Sequence, residues 1–137
     1  MRYWIMSIAA TVGGFLGWFL GGLDGLVYAL IAMIVLDYLT GVMCAIVERK
    51  LCSDIGFHGI FKKVTIFVMV AVAHIVCNHV LGYDSAAIRT TVIFFYIANE
   101  GLSVIENAIR LGLPVPAKLK AILAQLRQRD EDGGDSK

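Results

Sequence analysis

Charge is what this chain has least of. Of its 137 residues, 17% are Asp, Glu, Lys or Arg, less than a soluble domain of this length carries. The length leaves no room for a separate large soluble domain. The net charge of +1 speaks against nucleic acid as a partner. Cysteine is scarce and odd in number: Cys44, Cys52 and Cys77, two of them in apolar stretches, make packing thiols and not a disulfide framework. Catalytic motifs are missing as well. There is no Walker-type glycine loop, no HExxH, no CxxC and no serine elbow, so neither enzymatic activity nor a metal or cofactor is expected. Only Arg2 precedes the first hydrophobic segment, and no small-residue cleavage pattern leads into a soluble mature domain, so a signal peptide is not expected.

Apolar sequence is abundant: 58% of residues are hydrophobic and the mean hydropathy is +0.76. Four stretches, 3–20, 26–47, 64–81 and 87–109, come near the length of about 20 residues that a helix needs to cross hydrocarbon. The expected fold is therefore all-α: a polytopic membrane bundle of four transmembrane helices within residues 1–112. Three spans, with the first or fourth stretch lying in the interface, is the alternative. Gly21-Gly22-Leu23-Asp24-Gly25 and Gly82-Tyr83-Asp84-Ser85 are tight turns. Residues 48–63 should form a short turn in the headgroup layer, mixing Ile55, Phe57, Ile60 and Phe61 with Ser53, His58, Lys62 and Lys63.

Proline occurs only at Pro114 and Pro116, where with Gly112 it ends the fourth helix. An amphipathic interfacial helix is expected over 113–129, with Leu119, Ile122, Leu123 and Leu126 on one face and Lys118, Lys120, Arg127 and Arg129 elsewhere. It would lie on membrane lipids or a partner. Residues 130–137 make an acidic tail expected to be disordered.

Lys and Arg cluster at 48–63 and after Arg110, whereas the turns around Asp24 and Asp84 hold none and only Arg89 lies near that face. The positive-inside rule then puts both termini and the middle loop in the cytoplasm of a bacterial inner membrane. Tyr3, Trp4, Trp18, Phe19, Tyr28 and Tyr83 fit an interfacial aromatic belt.

The polar residues inside the apolar stretches carry the functional signal. At about 100° per residue, Arg89, Tyr96, Asn99, Glu100, Ser103, Asn107 and Arg110 fall within roughly 100° of one another, with Glu106 just outside. Val92, Ile93, Phe94, Ala98, Leu102, Ile105 and Ile109 are assigned to the opposite side. Ionisable groups at membrane depth face protein or water, so this stripe lines something or packs through its polar edge. Asp37 lies about 16 Å, and Glu100 about 18 Å, from the outer ends of their spans. His74 is near the centre of the third. An antiparallel bundle would bring Asp37, His74 and Asn99/Glu100 to similar depth, as a cluster that titrates, wets a pore or locks one assembly state, or as a plain interhelical clasp. Gly13, Gly17 and Gly21 form a small-residue face that joins subunits or packs the first helix in its own bundle.

Four elements occur in order across residues 26–126. Asp37-Tyr38-Leu39-Thr40-Gly41 is a DYxTG element. Ser53, Gly56, Gly59 and Lys63 punctuate a glycine-spaced loop. Asn99-Glu100, Ser103 and Glu106-Asn107 form an NExxSxxEN signature. Gly112-Leu113-Pro114-Val115-Pro116 follows. The set resembles the toxin-secretion/phage-lysis holins, of the phage holin family 4 type. That resemblance implies a phage- or prophage-encoded, non-enzymatic inner-membrane protein. Such a protein forms homo-oligomers and, at a set time, lesions that release an endolysin or export a large toxin. In such a family a second start at Met6 would delete Arg2 and give an antiholin; the plainer reading of Met6 is a core residue. Two other readings are a small ion- or proton-conducting module using Asp37, His74 and Glu100, and an enzyme resembling the small diacylglycerol kinases, which share a string like Glu106-Asn107-Ala108-Ile109.

Overall fold

The computed structural model describes residues 1–82 and 86–134, with the backbone alone described at 53–55, 86, 126–127 and 129–134. Among the described residues the chain is helical, without strands: α1 (Arg2–Leu20), α2 (Gly25–Val47), α3 (Ser53–Ile75), which runs on through a π-helical turn (Val76–Leu81), α4 (Ala86–Arg110) and α5 (Ala117–Gly134). Four of these are long and apolar enough to cross a membrane: α1, α2, α3 with its π turn, and α4. The bundle thus has a basic end, where α2 leads to α3 and α4 to α5, and a turn end, where α1 leads to α2.

Each helix stops for a local reason. Gly21 takes φ 79° after α1, and the Gly22 N–H reaches back to the Gly17 carbonyl at 2.6 Å, which closes the free C-terminal carbonyls. Two residues on, the Asp24 carboxylate accepts from the Val27 N–H at 3.1 Å and starts α2. Gly112, at φ 91°, ends α4 in the same manner as Gly21 ends α1. Pro116 then accepts from Leu119 and Lys120 through its carbonyl as α5 begins.

Three boundaries differ from expectation. The segment 48–63 is not a turn in the headgroup layer: only Glu48–Cys52 connects α2 to α3, and helix begins at Ser53. Gly56, Gly59 and the basic side chains hid this helix from a hydropathy argument, because they depress mean hydropathy without breaking the backbone hydrogen-bond ladder. At the C-terminal end, α5 starts at Ala117 and continues to Gly134, into residues expected to be tail; nothing between Ala117 and Gly133 interrupts a helix. Tyr83, Asp84 and Ser85 of the second turn, and Asp135, Ser136 and Lys137 of the tail, lie outside the described residues.

α2 and α4 are the most closely packed pair, α3 lies against α4, and α1 touches α3. The α2 seam is Val27, Leu30, Ile34, Asp37, Gly41 and Cys44, at alternating spacings of three and four. The facing α4 seam is Arg89, Ile93, Tyr96, Glu100, Ser103, Asn107 and Arg110, at spacings of four and three. That is the heptad pattern of antiparallel helices in near-parallel contact. The apolar core joins Leu20, Val27, Leu30, Ile34, Ile66, Val70, Ala71 and Ile93. Ile93 is therefore inside, not on the side opposite the polar stripe. Its azimuth lies next to that of Glu100, seven residues on. α1 differs from the rest: every position from Met1 to Val12 is exposed, and only Leu20, at its C-terminal end, is buried.

Candidate functional site

Asp37, Lys63 and Glu100 meet where α2, α3 and α4 converge. The Lys63 ammonium donates to Asp37 Oδ2 and to Glu100 Oε2 at once. The Glu100 side chain is 3% exposed and that of Asp37 12%, so the cluster is interior. Register explains the meeting. Each of the three residues lies ten positions from its helix's basic-end terminus, Asp37 before Val47, Lys63 after Ser53 and Glu100 before Arg110, hence about 15 Å along each axis.

A second layer lies on the basic side of this cluster. The Asn107 amide nitrogen faces Asp37 Oδ1 at 3.1 Å and Thr40 Oγ1 at 2.9 Å. The Cys44 thiol donates to the Asn107 carbonyl at 3.3 Å. Gly41 lies next to Asn107, where a Cβ would make an ordinary contact with the amide nitrogen at 3.8 Å. Nearer the end, Arg110 makes a two-pronged pair with Glu48 at 3.0 and 2.7 Å. That guanidinium holds the Glu48 carboxyl below the usual carboxylate range.

Between α2 and α3 these residues line an open cavity of about 390 Å³. Asp37, Lys63 and Asn107 form its floor. Gly41, Gly56 and Gly59 thin its walls, and Glu48, Lys50 and Arg110 stand at its basic end. On the other side of the cluster the apolar core, from Ile34, Ile66 and Ile93 to Leu20, fills the bundle.

A separate ionic site closes the turn end. Arg89 is buried; its Nε donates to the Leu20 carbonyl at 2.6 Å, Nη2 to the Gly22 carbonyl at 2.8 Å and Nη1 to Asp24 Oδ2 at 2.8 Å. One side chain on α4 therefore caps the C-terminus of α1 and ties down the N-cap of α2. Its guanidinium, hydrogen-bonded to Asp24, holds that carboxyl below its usual range.

The sequence-predicted residues divide accordingly. Of the α4 stripe, Arg89, Glu100 and Asn107 are buried, Tyr96, Ser103 and Glu106 are half-buried, and Asn99 and Arg110 are exposed. Glu106 sits with Lys120 and Leu123 around a smaller hollow where α5 folds back on α4. His74 does not join Asp37 and Glu100. It lies at the turn end, where a Cβ on Gly21 would come within 2.5 Å of its Nδ1 and 2.9 Å of Arg89 Nε. Starting the third span at residue 64 omitted eleven helical residues and so misplaced its centre. Lys63, assigned to the loop, takes the position expected for His74. Its signal was available: Gly56, Gly59, Lys63, Ile66, Val70, Ala73 and Cys77 keep the three-four spacing of the other seams, and all are at least half-buried. Ser53 opens α3, and its side chain is not among those described. On α1, a Cβ on Gly13 would meet nothing within 4 Å and one on Gly17 only Leu23, at 3.8 Å; Gly21 serves the turn.

Comparison with known proteins adds identity to this geometry. Residues 14–128 match the model of the bacteriophage holin family. An uncharacterized 14.9 kDa protein of Clostridium perfringens is 40% identical over 119 residues, 87% of this chain and 89% of its own length. A protein of Listeria monocytogenes is 40% identical over 111 residues, 81% of this chain and 78% of its own. A probable holin of Bacillus phage phi105 is 35% identical over 83 residues, 61% of this chain and 60% of its own. No solved structure matches.

Proposed function

The chain belongs to the bacteriophage holin family, and from that premise we propose that it assembles in the bacterial inner membrane into lesions that let a cytoplasmic endolysin, or a large toxin, out. Both termini lie in the cytoplasm on this reading, since the basic end holds Lys50, Lys62, Arg110, Lys118 and Lys120. The fold described above is the closed form. Its α4 carries enough polar groups to line a wet lumen, yet turns Glu100 and Asn107 into its own bundle, where Lys63, Asp37 and Thr40 satisfy them.

The observation that carries the reading is Asn99. It is exposed on α4, one residue from the buried cluster and at the same depth in the span. An amide facing lipid is costly, so this side chain favours a second copy of the chain as its neighbour. Opening then requires α4 to turn its inner polar edge toward the space between copies.

Expression with an endolysin that lacks its own export signal tests the proposal. Abrupt lysis that needs both proteins is the expected result. Depolarisation without lysis would replace it with the ion- or proton-conducting reading, which the cavity reaching Asp37 and Lys63 favours. Asn99→Leu and Glu100→Leu should each shift or abolish lysis while the protein still inserts; unaltered timing would remove the stripe from the mechanism.

A further inference from the structure

The Lys63 cluster is unbalanced. It holds two carboxylates and one ammonium, all interior. Fully ionised, it carries one surplus negative charge at membrane depth, where an uncompensated charge is strongly disfavoured. One proton held within the cluster removes that charge, as in other close carboxylate clusters.

Among the described residues the structure opens a route for that proton on the basic side of the cluster. The cavity runs from the basic end down to Asp37, Lys63 and Asn107, and it has the volume and polar partners that water needs. Toward the turn end the cluster meets Ile34, Ile66, Val70 and Ile93, which are packed together and buried. We propose that the cavity brings water and protons to Asp37 and Lys63, and through Lys63 to Glu100, from the basic end alone, and that loss of the cluster's proton loosens the packing of α2 against α3 and α4. The inference deepens the proposed function, resting on its closed form, and adds a dependence on pH at the cytoplasmic side.

Other charged and titratable groups line the same cavity. From α2 these are Tyr38 and Cys44, with Glu48 at its cap. Lys50 and Cys52 stand at the α2–α3 connection, and Asn107 and Arg110 come from α4. Glu48 is matched by Arg110, and Asn107 is neutral. Among the described residues α1 and α5 contribute nothing to the lining. The surplus charge therefore belongs to Asp37 and Glu100.

Two measurements on the full chain test this. In the first, Gly59→Cys is built in a protein whose Cys44 and Cys77 are replaced by alanine. A Cβ at Gly59 would meet nothing within 4 Å, and exposed Cys52 at the basic end reports sidedness. A membrane-impermeant thiol reagent is applied to intact cells and to inverted membrane vesicles. Labelling of Gly59→Cys from the Cys52 side alone is expected; labelling from the other side, from both or from neither overturns the one-sided route. In the second, the unfolding midpoint of the detergent-solubilised protein is followed from pH 6 to 9. The unfolding equilibrium should rise with pH by up to about tenfold per unit, the limit for one proton. Glu100→Gln and Asp37→Asn, which remove the surplus charge and leave Lys63 one carboxylate, should each flatten that slope. A flat profile in the parent chain, or an unchanged slope in both variants, overturns the proton-linked packing. Both results are independent of lysis. Success here without endolysin release would sink the lesion and leave the cavity, and the reverse pattern would do the opposite.

Discussion

At the turn end, Arg89 meets Asp24 together with the carbonyls of Leu20 and Gly22. About three turns nearer the basic end, Lys63 meets Asp37 and Glu100 through their side chains. Both clusters draw an acid from α2 or its cap and a charged group from α4. The first is balanced and consumes the free carbonyls that every helix end leaves behind. Its planar guanidinium suits three acceptors in three directions. The second joins side chain to side chain, has an acid too many and lies under a cavity. A charge that serves a helix end is part of the architecture. One placed mid-helix, at the meeting of three helices, sets how those helices can rearrange.

The largest effect expected from breaking that contrast is at Lys63. Lys63→Met leaves the buried Glu100 and the half-buried Asp37 without their cation and should cost about 3–5 kcal/mol. Thermal unfolding in detergent would register it, and replacing Asp37 and Glu100 by Asn and Gln in the same chain should recover most of the loss. Arg89→Ala comes next, at about 3 kcal/mol, because it strips partners from Leu20, Gly22 and Asp24 together. Arg89→Lys should restore only part, since one ammonium cannot reproduce the fork. If Arg89→Lys is as stable as the parent, the capping argument fails. Gly21→Ala should cost about 1–3 kcal/mol, as the position combines φ 79° with a close approach to His74. The smallest effect concerns exposed pairs. Glu48→Gln removes a solvent-screened bond to Arg110 and should leave the midpoint unmoved.

The two clusters should also respond to pH with opposite sign. Arg89 lowers the folded-state pKa of Asp24. Its contribution is therefore present above the ordinary carboxylate pKa and lost as pH falls through the lowered folded value. Asp24→Asn should weaken the acid-side decline without touching the alkaline side, where Glu100→Gln acts. A midpoint profile that changes on the same side in both variants would show that the clusters are coupled, not separate.

Much of this was legible in the residues. Four spans, the turn at Gly21–Asp24, the helix stop at Gly112 and the polar edge of α4 all follow from local rules. The α3 boundary did not, because glycine and lysine lower hydropathy in a segment whose helix is held by its neighbours. That one boundary moved the centre of the third span and exchanged His74 for Lys63 in the central cluster. Ile93 needs no tertiary information: at about 100° per residue it falls about 20° from Glu100, so helical periodicity alone places it beside the polar edge and not opposite it.

By itself the sequence determined which segments are helical spans and which residues on them are polar, since hydropathy, capping and periodicity act over a few neighbouring positions. Only the tertiary structure decided which polar residues meet. That depends on the register of three antiparallel helices, and register is settled by packing between residues as far apart as Asp37 and Asn107.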